Sequence, residues 1–513
     1  MSSIGMSVLS PEPEVKLLRC FNDPYDFAVA GARTCYSPRV VHSVEVTNLQ
    51  RERIGGGCLK GGHHTIFEHL YFSFGLQNIS RNFVWSFLQN HPFYNSSESS
   101  QRYVRLDQCK SFIPPLEGEA REIFENAVEE AWGVYNKLSE IFMRKIIEIE
   151  TARGIKIDDK KKKSLEKKAI EIARYAVPIS ALTSMVHTVS GITLYRMYKL
   201  MNQYPVGWET KQIISKMVEE VKRVDPTFFR DIKDPIPLEE TLEYQFVKTF
   251  GMGDERSLKE FDSDMEGKRS KLIDYTHKGS EIMADSIRNI MGKTKLEISN
   301  EDALDFVLNP EKNKYLTMTL NLSTMSPLMR TMNHPYFVFK KKMSHCGDSD
   351  NKRHRMTPAA RPLVIFSDSR EPDYIIPKLL EVTPEALEVY KTHMKRMWDV
   401  KNKLLDMGVS IEFARYIIPN GVCVRMIESG SLLNLWHKCK LRSCLAAMRE
   451  IWQCAIEEID EIKKVQPELV KHLGPNCVLR KKAGIKPFCP EGPRWCTYTS
   501  WETHDWKNKD RIL

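Results

Sequence analysis

The chain repeats itself, and the register of that repeat constrains the fold more than any single motif. "ARYAVPIS" begins at Ala173 and "ARYIIPNG" at Ala414, 241 residues apart. "KLM" ending at Met201 and "KLR" ending at Arg442 keep that 241-residue offset, as do Glu209 and Glu450. An Asn-His-Pro tripeptide followed by two aromatics starts at Asn90 and again at Asn333, 243 residues apart. One register held over so long a stretch reads as a tandem duplication. Two similar domains are therefore expected at residues 1–232 and 268–480, joined by a connection at 233–267 and followed by a tail at 481–513. A length of 513 residues agrees, because one core rarely organises so long a chain. The stretch "GMGDERSLKEFDSDMEGKRSK" between the copies is polar and reads as a linker or a long exposed connection.

Each copy shows the same coarse plan. Tyr71 to Leu76 alternates aromatic and small residues, a strand pattern, and Phe83, Val84, Phe87 and Leu88 then recur at helical spacing. Pro92 disfavours helical geometry at His91, so this helix should stop near Asn90 and release a Ser/Asn-rich loop. Leu194, Met197, Tyr198 and Met201 form an apolar helical stripe, matched by Leu432, Leu435, Trp436 and Cys439 in the second copy. Helices with a short sheet, rather than alternating β-α units, imply an α+β fold.

Composition narrows the partners. With 42% hydrophobic and 28% charged residues the chain reads as globular, and no run approaches the roughly 18 apolar residues of a spanning helix. No basic start followed by an apolar run opens the sequence, so a cytoplasmic location is expected. Twelve irregularly spaced cysteines then read as thiols rather than a disulfide framework. A net charge of +9 suits an anionic small molecule as well as nucleic acid. The Lys160 to Lys163 run reads as a solvated helix start or loop.

Polar chemistry clusters beside these elements. Glu98, Ser100 and Arg102 alternate, so an extended segment would present all three side chains on one side. A carboxylate, a hydroxyl and a guanidinium there could hold a sugar and a phosphate, since the planar Arg fork suits bidentate phosphate binding. The bland alternative is a polar surface loop. "GHHTIFEHL" brings His63, His64, Glu68 and His69 together, but His64 and His69 are not a helical i, i+4 pair, so no metal is expected there.

At these residues the chain resembles the flavin-dependent thymidylate synthases. The family's GHxSxFEHxxFxF strand is similar to "GHHTIFEHLYFSF", its RHRxxSxxExSxRY loop to the stretch ending in "SESSQRY", and its AR-x-x-LP segment to "ARYAVP". Its LRxxxxAQxEI helix is similar to "LRSCLAAMREI", and "AGARTCYS" resembles its N-terminal helix. The similarity spans roughly residues 15–225 and 268–465. In copy one the family's Arg-His-Arg falls on Asn90, His91 and Pro92, and the Arg of the LR helix has become Met201, while Glu98, Ser100, Arg102 and Arg174 match. Copy two is complementary: Arg415 and Arg442 are present, but no strand like GHxSxFEH is legible before Asn333. A literal Arg353-His354-Arg355 stands 20 residues beyond Asn333.

The resemblance implies reductive methylation of dUMP, with FAD as cofactor and NADPH and methylenetetrahydrofolate as co-substrates; the flavin carries the redox chemistry and the protein supplies geometry and charge. It implies a flavin set of His63, Thr65, Glu68, His69 and His91, with Arg353, His354 and Arg355 restoring the charge lost from copy one. It implies nucleotide binding by Glu98, Ser100, Arg102, Arg174, Arg415 and Arg442, with Arg102 and Arg442 also catalytic. The phosphate is expected on Arg102, Arg415 and Arg442, with Arg174 contributing less. The family forms tetramers, so the two copies are expected to pack as a pseudo-dimer with one composite site, and two chains to rebuild the tetramer. Two alternatives stay open: a nucleotide-binding or assembly subunit without turnover, and altered flavin chemistry on another pyrimidine nucleotide or on nucleic acid. No membrane partner is expected, and a nucleotide is favoured over nucleic acid.

The tail is a separate signal. Cys477, Cys489 and Cys496 lie near His472 and His504 in sequence, a composition compatible with structural zinc, though no C-x-x-C pair is present. The other reading is of buried or free thiols. Trp495, Trp501 and Trp506 read as aromatics that anchor an extended tail on the second copy.

Overall fold

A computed structural model describes residues 7–89, 92–203, 207–363, 365–366, 368–492, 495–496, 505–508 and 511–513. Copy one comprises β1 (Glu14–Arg19), α1 (Pro24–Thr34), β2 (Tyr71–Ser80), α2 (Arg81–Gln89), β3 (Tyr94–Glu98), α3 (Gly118–Ala152), α4 (Asp159–Ala173), β4 (Leu182–Ser190), α5 (Gly191–Lys199) and α6 (Gly207–Val224). The connection holds α7 (Leu242–Phe250) and α8 (Glu255–Met265). Copy two comprises β5 (Ser270–Tyr275), α9 (Gly279–Met291), β6 (Tyr336–Ser344), α10 (His345–Asn351), β7 (Ala359–Ala360), α11 (Pro384–Asp406), β8 (Cys423–Ser431), α12 (Leu432–Arg442) and α13 (Arg449–Val465). Copy two also holds the helices Asn300–Leu308 and Asn476–Lys482, and short helical turns join the elements.

The strands form two antiparallel four-stranded sheets of the same order, β1-β2-β4-β3 and β5-β6-β8-β7. This is the expected α+β duplication. Register corrects the sequence reading in one respect. Tyr71 pairs with Ser190, and Tyr336 with Ser431. The long strand missing from copy two is therefore β6, which follows Asn333 directly. The Asn-His-Pro match is a coincidence: Pro92 lies after α2 in copy one, whereas Asn333 lies before β6 in copy two. The offset is 265 residues at the start of the long strands and 241 at the last strands. Copy one is longer between them, chiefly because α3 and α4, of 35 and 15 residues, correspond to a region dominated by the 23-residue α11. On this register Arg353-His354-Arg355 follows α10 as Asn90 to Pro92 follow α2.

The connection expected as an exposed linker is partly built in. Asp262 on α8 accepts from Lys342 of β6 at 2.7 Å and from Arg425 of β8 at 2.8 and 2.6 Å. Polar composition conceals this, because the ion pairs that hold the helix are long-range.

Both strand-to-helix junctions are fixed identically. Ser80 and Ser344 each cap the following helix, accepting from the backbone N–H of Phe83 and Gly347. Each also donates through backbone and hydroxyl to a buried glutamate, Ser80 to Glu209 and Ser344 to Glu450. The second partner of each glutamate comes from the other copy: Tyr416 donates to Glu209 at 2.7 Å and Tyr175 to Glu450 at 2.5 Å. Around them the "ARY" segments run antiparallel across the junction, with Ile179 N–H donating to Ile418 and Asn420 N–H to Val177. One apolar core of α3, α4 and α11 residues, including Trp132, Phe142, Tyr390 and Trp398, spans both copies. Separate cores fill each sheet-helix unit. The copies thus form a pseudo-dimer, and its junction places the candidate site.

Candidate functional site

At this junction a set of cations from both copies gathers around three carboxylates. Glu98, at the end of β3, pairs with Arg81 of α2 and lies 3.7 Å from Arg353 of copy two. The segment after Glu98 does not stay extended as alternation suggested: Tyr103 and Val104 N–H groups both return to the Ser100 carbonyl, closing a turn. The turn aims Arg102 at Glu171 of α4 and at the Ala446 carbonyl of copy two, 3.1 Å away. Arg174 donates to Asp350 of α10 at 3.3 Å and meets the Met448 sulfur at 2.9 Å. Arg442, the last residue of α12, donates to His354 at 2.8 Å and to the Asp350 carbonyl at 2.9 Å.

The electrostatics of this cluster are unbalanced. Arg81, Arg102, Arg174, Lys352, Arg353 and Arg442 outnumber Glu98, Glu171 and Asp350 two to one. Burial raises the Asp350 carboxyl, but Arg174, Arg102 and Arg442 outweigh it and hold it well below the usual range. Glu171 is held down at about 2, because Lys168, Arg102 and Arg174 overcome its burial. Burial and the Arg442 charge push His354 well below its ordinary value, so its ring is neutral and Nε2 accepts from Arg442. Burial lowers Lys352 to about 8. Its Nζ, with Arg81 Nε, Gln101 Nε2 and Arg174 Nε, has no hydrogen-bond partner among the described residues. Buried donors without acceptors are rare and costly, so this is a place where an anion or water would be held. The void left among Arg81, Glu98, Gln101, Arg174, Asp350 and Arg353 is about 10 Å³, the size of one water. Arg353 is its most open wall, with 45% of its side chain exposed.

Of the residues expected to bind nucleotide, Glu98, Ser100, Arg102, Arg174 and Arg442 meet here. Arg415 does not join them: it pairs with Asp368 at 2.9 Å on the pseudo-symmetric side, and its Nε has no partner among the described residues. Arg174 takes the place expected for it. On that other side, strand register puts Arg361 where copy one has Glu98, and Arg361 is bonded to Asp348, which also accepts from Trp85. Met201 stands where copy two has Arg442, so no matching cationic set forms there.

The family-implied flavin residues separate into two groups. Arg355 stacks 5.1 Å from the Tyr94 ring and donates to Asn95, so the copy-two triplet lies along β3 of copy one. His63, Thr65 and His69 are exposed and Glu68 is half-buried, in the turn before β2. Among the described residues no hydrogen bond or ion pair joins the two groups. His91 lies outside the described residues. Zinc is not supported either: among the described residues no group of three or more His, Cys, Asp or Glu is arranged to hold a metal. Burial, with Cys444, Cys496 and Cys489 adding to it, pushes the Cys477 thiol up to about 12, and Cys489 and Cys496 are half-buried. His472 is taken by Asp305, and His504 is not among the described residues.

Sequence reasoning missed Arg81, Asp350, Lys352 and Gln101. Arg81 carried a readable signal, a lone cation opening the apolar run "NFVWSFL". Gln101 stood within the quoted "SESSQRY" stretch but out of phase with the alternating Glu98, Ser100 and Arg102, and Asp350 and Lys352 carried no signal because only the pseudo-dimer junction brings them in.

Fold and cluster together define a duplicated α+β protein with one arginine-rich centre between its halves. The family described as "Thymidylate synthase complementing protein" matches residues 16–227 and 271–468, and the chain belongs to that family. A flavin-dependent thymidylate synthase of Clostridium tetani is 31% identical over 223 residues, covering 42% of this chain and 85% of its own. One from Saccharolobus solfataricus is 25% identical over 214 residues, covering 41% and 78%. A solved structure, a UMP/dUMP methylase PolB from Streptomyces cacaoi bound with 5-Br dUMP, aligns with 44% of this chain and 96% of its own at 15% identity. Its TM-score of 0.33 is too low to support any argument.

Proposed function

We propose that the chain is a flavin-dependent thymidylate synthase-like enzyme that reductively methylates dUMP or a closely related pyrimidine nucleotide. The observation that carries this reading is the convergence of Arg102, Arg174, Arg353 and Arg442, two from each copy, with an excess of positive charge and unpartnered buried donors. A nucleotide phosphate satisfies both. Glu98 and Ser100 stand beside it for the sugar, and Arg102 and Arg442 fix the nucleotide against the reacting groups. Because the void is water-sized, admission of the phosphate requires the Arg353 wall to move and Asp350 to yield its guanidinium partners.

The residues present fit a flavin in part. Arg353 and Arg355 offer cations for a pyrophosphate, while His63, Thr65, Glu68 and His69 offer an exposed polar surface whose completing partner is a second chain. When bound there, FAD would supply the hydride, with NADPH as its reductant and methylenetetrahydrofolate as the carbon donor. On this reading two chains associate so that four repeat units surround the sites, in the cytoplasm.

A second reading, a nucleotide-binding or assembly protein without turnover, is favoured by the water-sized void and by Asp350 already being paired with Arg174. The absorption spectrum of purified protein and a calorimetric titration with dUMP separate the two. Flavin absorbance with dUMP binding, and oxidation of reduced flavin that requires dUMP and methylenetetrahydrofolate together, is the expected result. Colourless protein that still binds dUMP selects the second reading, and absence of both signals sinks each.

A further inference from the structure

The family match ends at residue 468, yet the segment beyond it returns to the cluster. We propose that Arg511 is a positioning residue for the arginine centre. Its guanidinium, 9% exposed, donates to the carbonyls of Leu445 at 2.7 Å and Ala447 at 2.8 Å. Between these two lies Ala446, whose carbonyl receives Arg102. The same loop begins after Arg442 and ends at Met448, the contact of Arg174. Three arginines of the centre are therefore attached to one short loop, and Arg511 fastens that loop from behind.

The segment is itself well anchored. The guanidinium groups of Arg449 and Arg511 both pack on Trp452, 4.8 and 5.2 Å from its ring centre, and its Nε1 donates to the Trp506 carbonyl. Arg449 donates to the Arg511 carbonyl at 2.7 Å. Ile512 and Leu513 line a cavity of about 350 Å³ that is also lined by Glu171, the carboxylate paired with Arg102. The segment thus reaches Arg102's surroundings at two places, this cavity and the 443–448 loop. Both bonds leave one nitrogen, Nη2, so the contact rests on the reach and planar aim of the guanidinium, which a shorter, freely rotating ammonium reproduces only in part.

The functional half of this proposal rests on nucleotide binding at the centre; the bracing half does not. In full-length Arg511→Ala, amide exchange at residues 443–448 and 99–104 should accelerate while α3 stays protected, and dUMP affinity should fall about tenfold, the loss of a charge-assisted bond. Arg511→Lys should recover part of both. Wild-type exchange at both loops in folded Arg511→Ala overturns the proposal, and so does faster exchange with unchanged dUMP affinity. If wild-type protein binds no dUMP, the nucleotide reading falls and the exchange measurement alone decides the brace. Should Arg511→Ala not fold, Arg511→Lys, which keeps the charge but loses the reach and planar aim of the guanidinium, carries the same measurements.

Discussion

At the scale of residues, the centre joins side chains that no local pattern unites, and coupling between them is the test. Truncating Arg102 or Arg442 should each weaken dUMP binding by roughly 1.5–3 kcal/mol, and the double variant should lose less than the sum, since both act on one ligand. Arg415→Ala should leave the affinity unchanged, because that guanidinium is turned to Asp368. Calorimetry on these variants decides it: strict additivity, or full-strength binding by Arg442→Ala, rejects a shared site. A different residue governs pH. Burial raises Glu209 to about 7, only partly offset by hydrogen bonds from Ser80 and Tyr416. A carboxyl whose folded pKa lies above its unfolded value of about 4.3 holds its proton more tightly when folded, so its contribution to stability is greatest below that pH and declines as pH rises to about 7. Glu209→Gln should flatten this decline, so that chemical unfolding shows wild type losing stability relative to the variant between pH 4.5 and 7; parallel profiles would falsify it. What sequence could read here was chemistry with a motif: Glu98, Ser100, Arg102, Arg174 and Arg442. Asp350 and Lys352 were illegible because their meaning depends on which arginines tertiary structure places opposite them.

At the scale of elements, periodicity served where one face is buried. The alternation from Tyr71 is reproduced by β2, and α2, described as far as Gln89, is over by Pro92, which lies in a bend. The second copy's strand escaped because "YFVFKKKMS" carries three lysines, and one of them, Lys341, is fully buried between Glu428 and Glu458. Paired charges can occupy a core position that a hydrophobic pattern would never mark. The same blindness made α8 look like free linker. Its docking rests on Asp262, whose side chain is 35% exposed, so Asp262→Ala should cost only roughly 0.5–1 kcal/mol of global stability. It should nonetheless expose the connection, and limited proteolysis should cut residues 250–268 markedly faster; cleavage at the wild-type rate there shows that α8 is held by something else.

At the scale of the whole molecule, His63, Thr65 and His69 are exposed, and the proposed flavin reading has a second chain complete the surface around them. Light scattering at micromolar concentration should therefore return about twice the 59.5 kDa chain mass, and a stable monomer counts against the two-chain arrangement. The exchanged tyrosine-glutamate pairs, Tyr175 with Glu450 and Tyr416 with Glu209, have a further consequence. In a symmetric dimer of identical subunits every substitution is made twice, once on each side of the axis. A tethered pair escapes that constraint: Met201 can stand on one side while Arg442 stands on the other, and a change that fills one pocket leaves its counterpart intact. The buried cross-pairs keep the halves registered while they drift apart, so specialisation of one half need not be tolerated by the other.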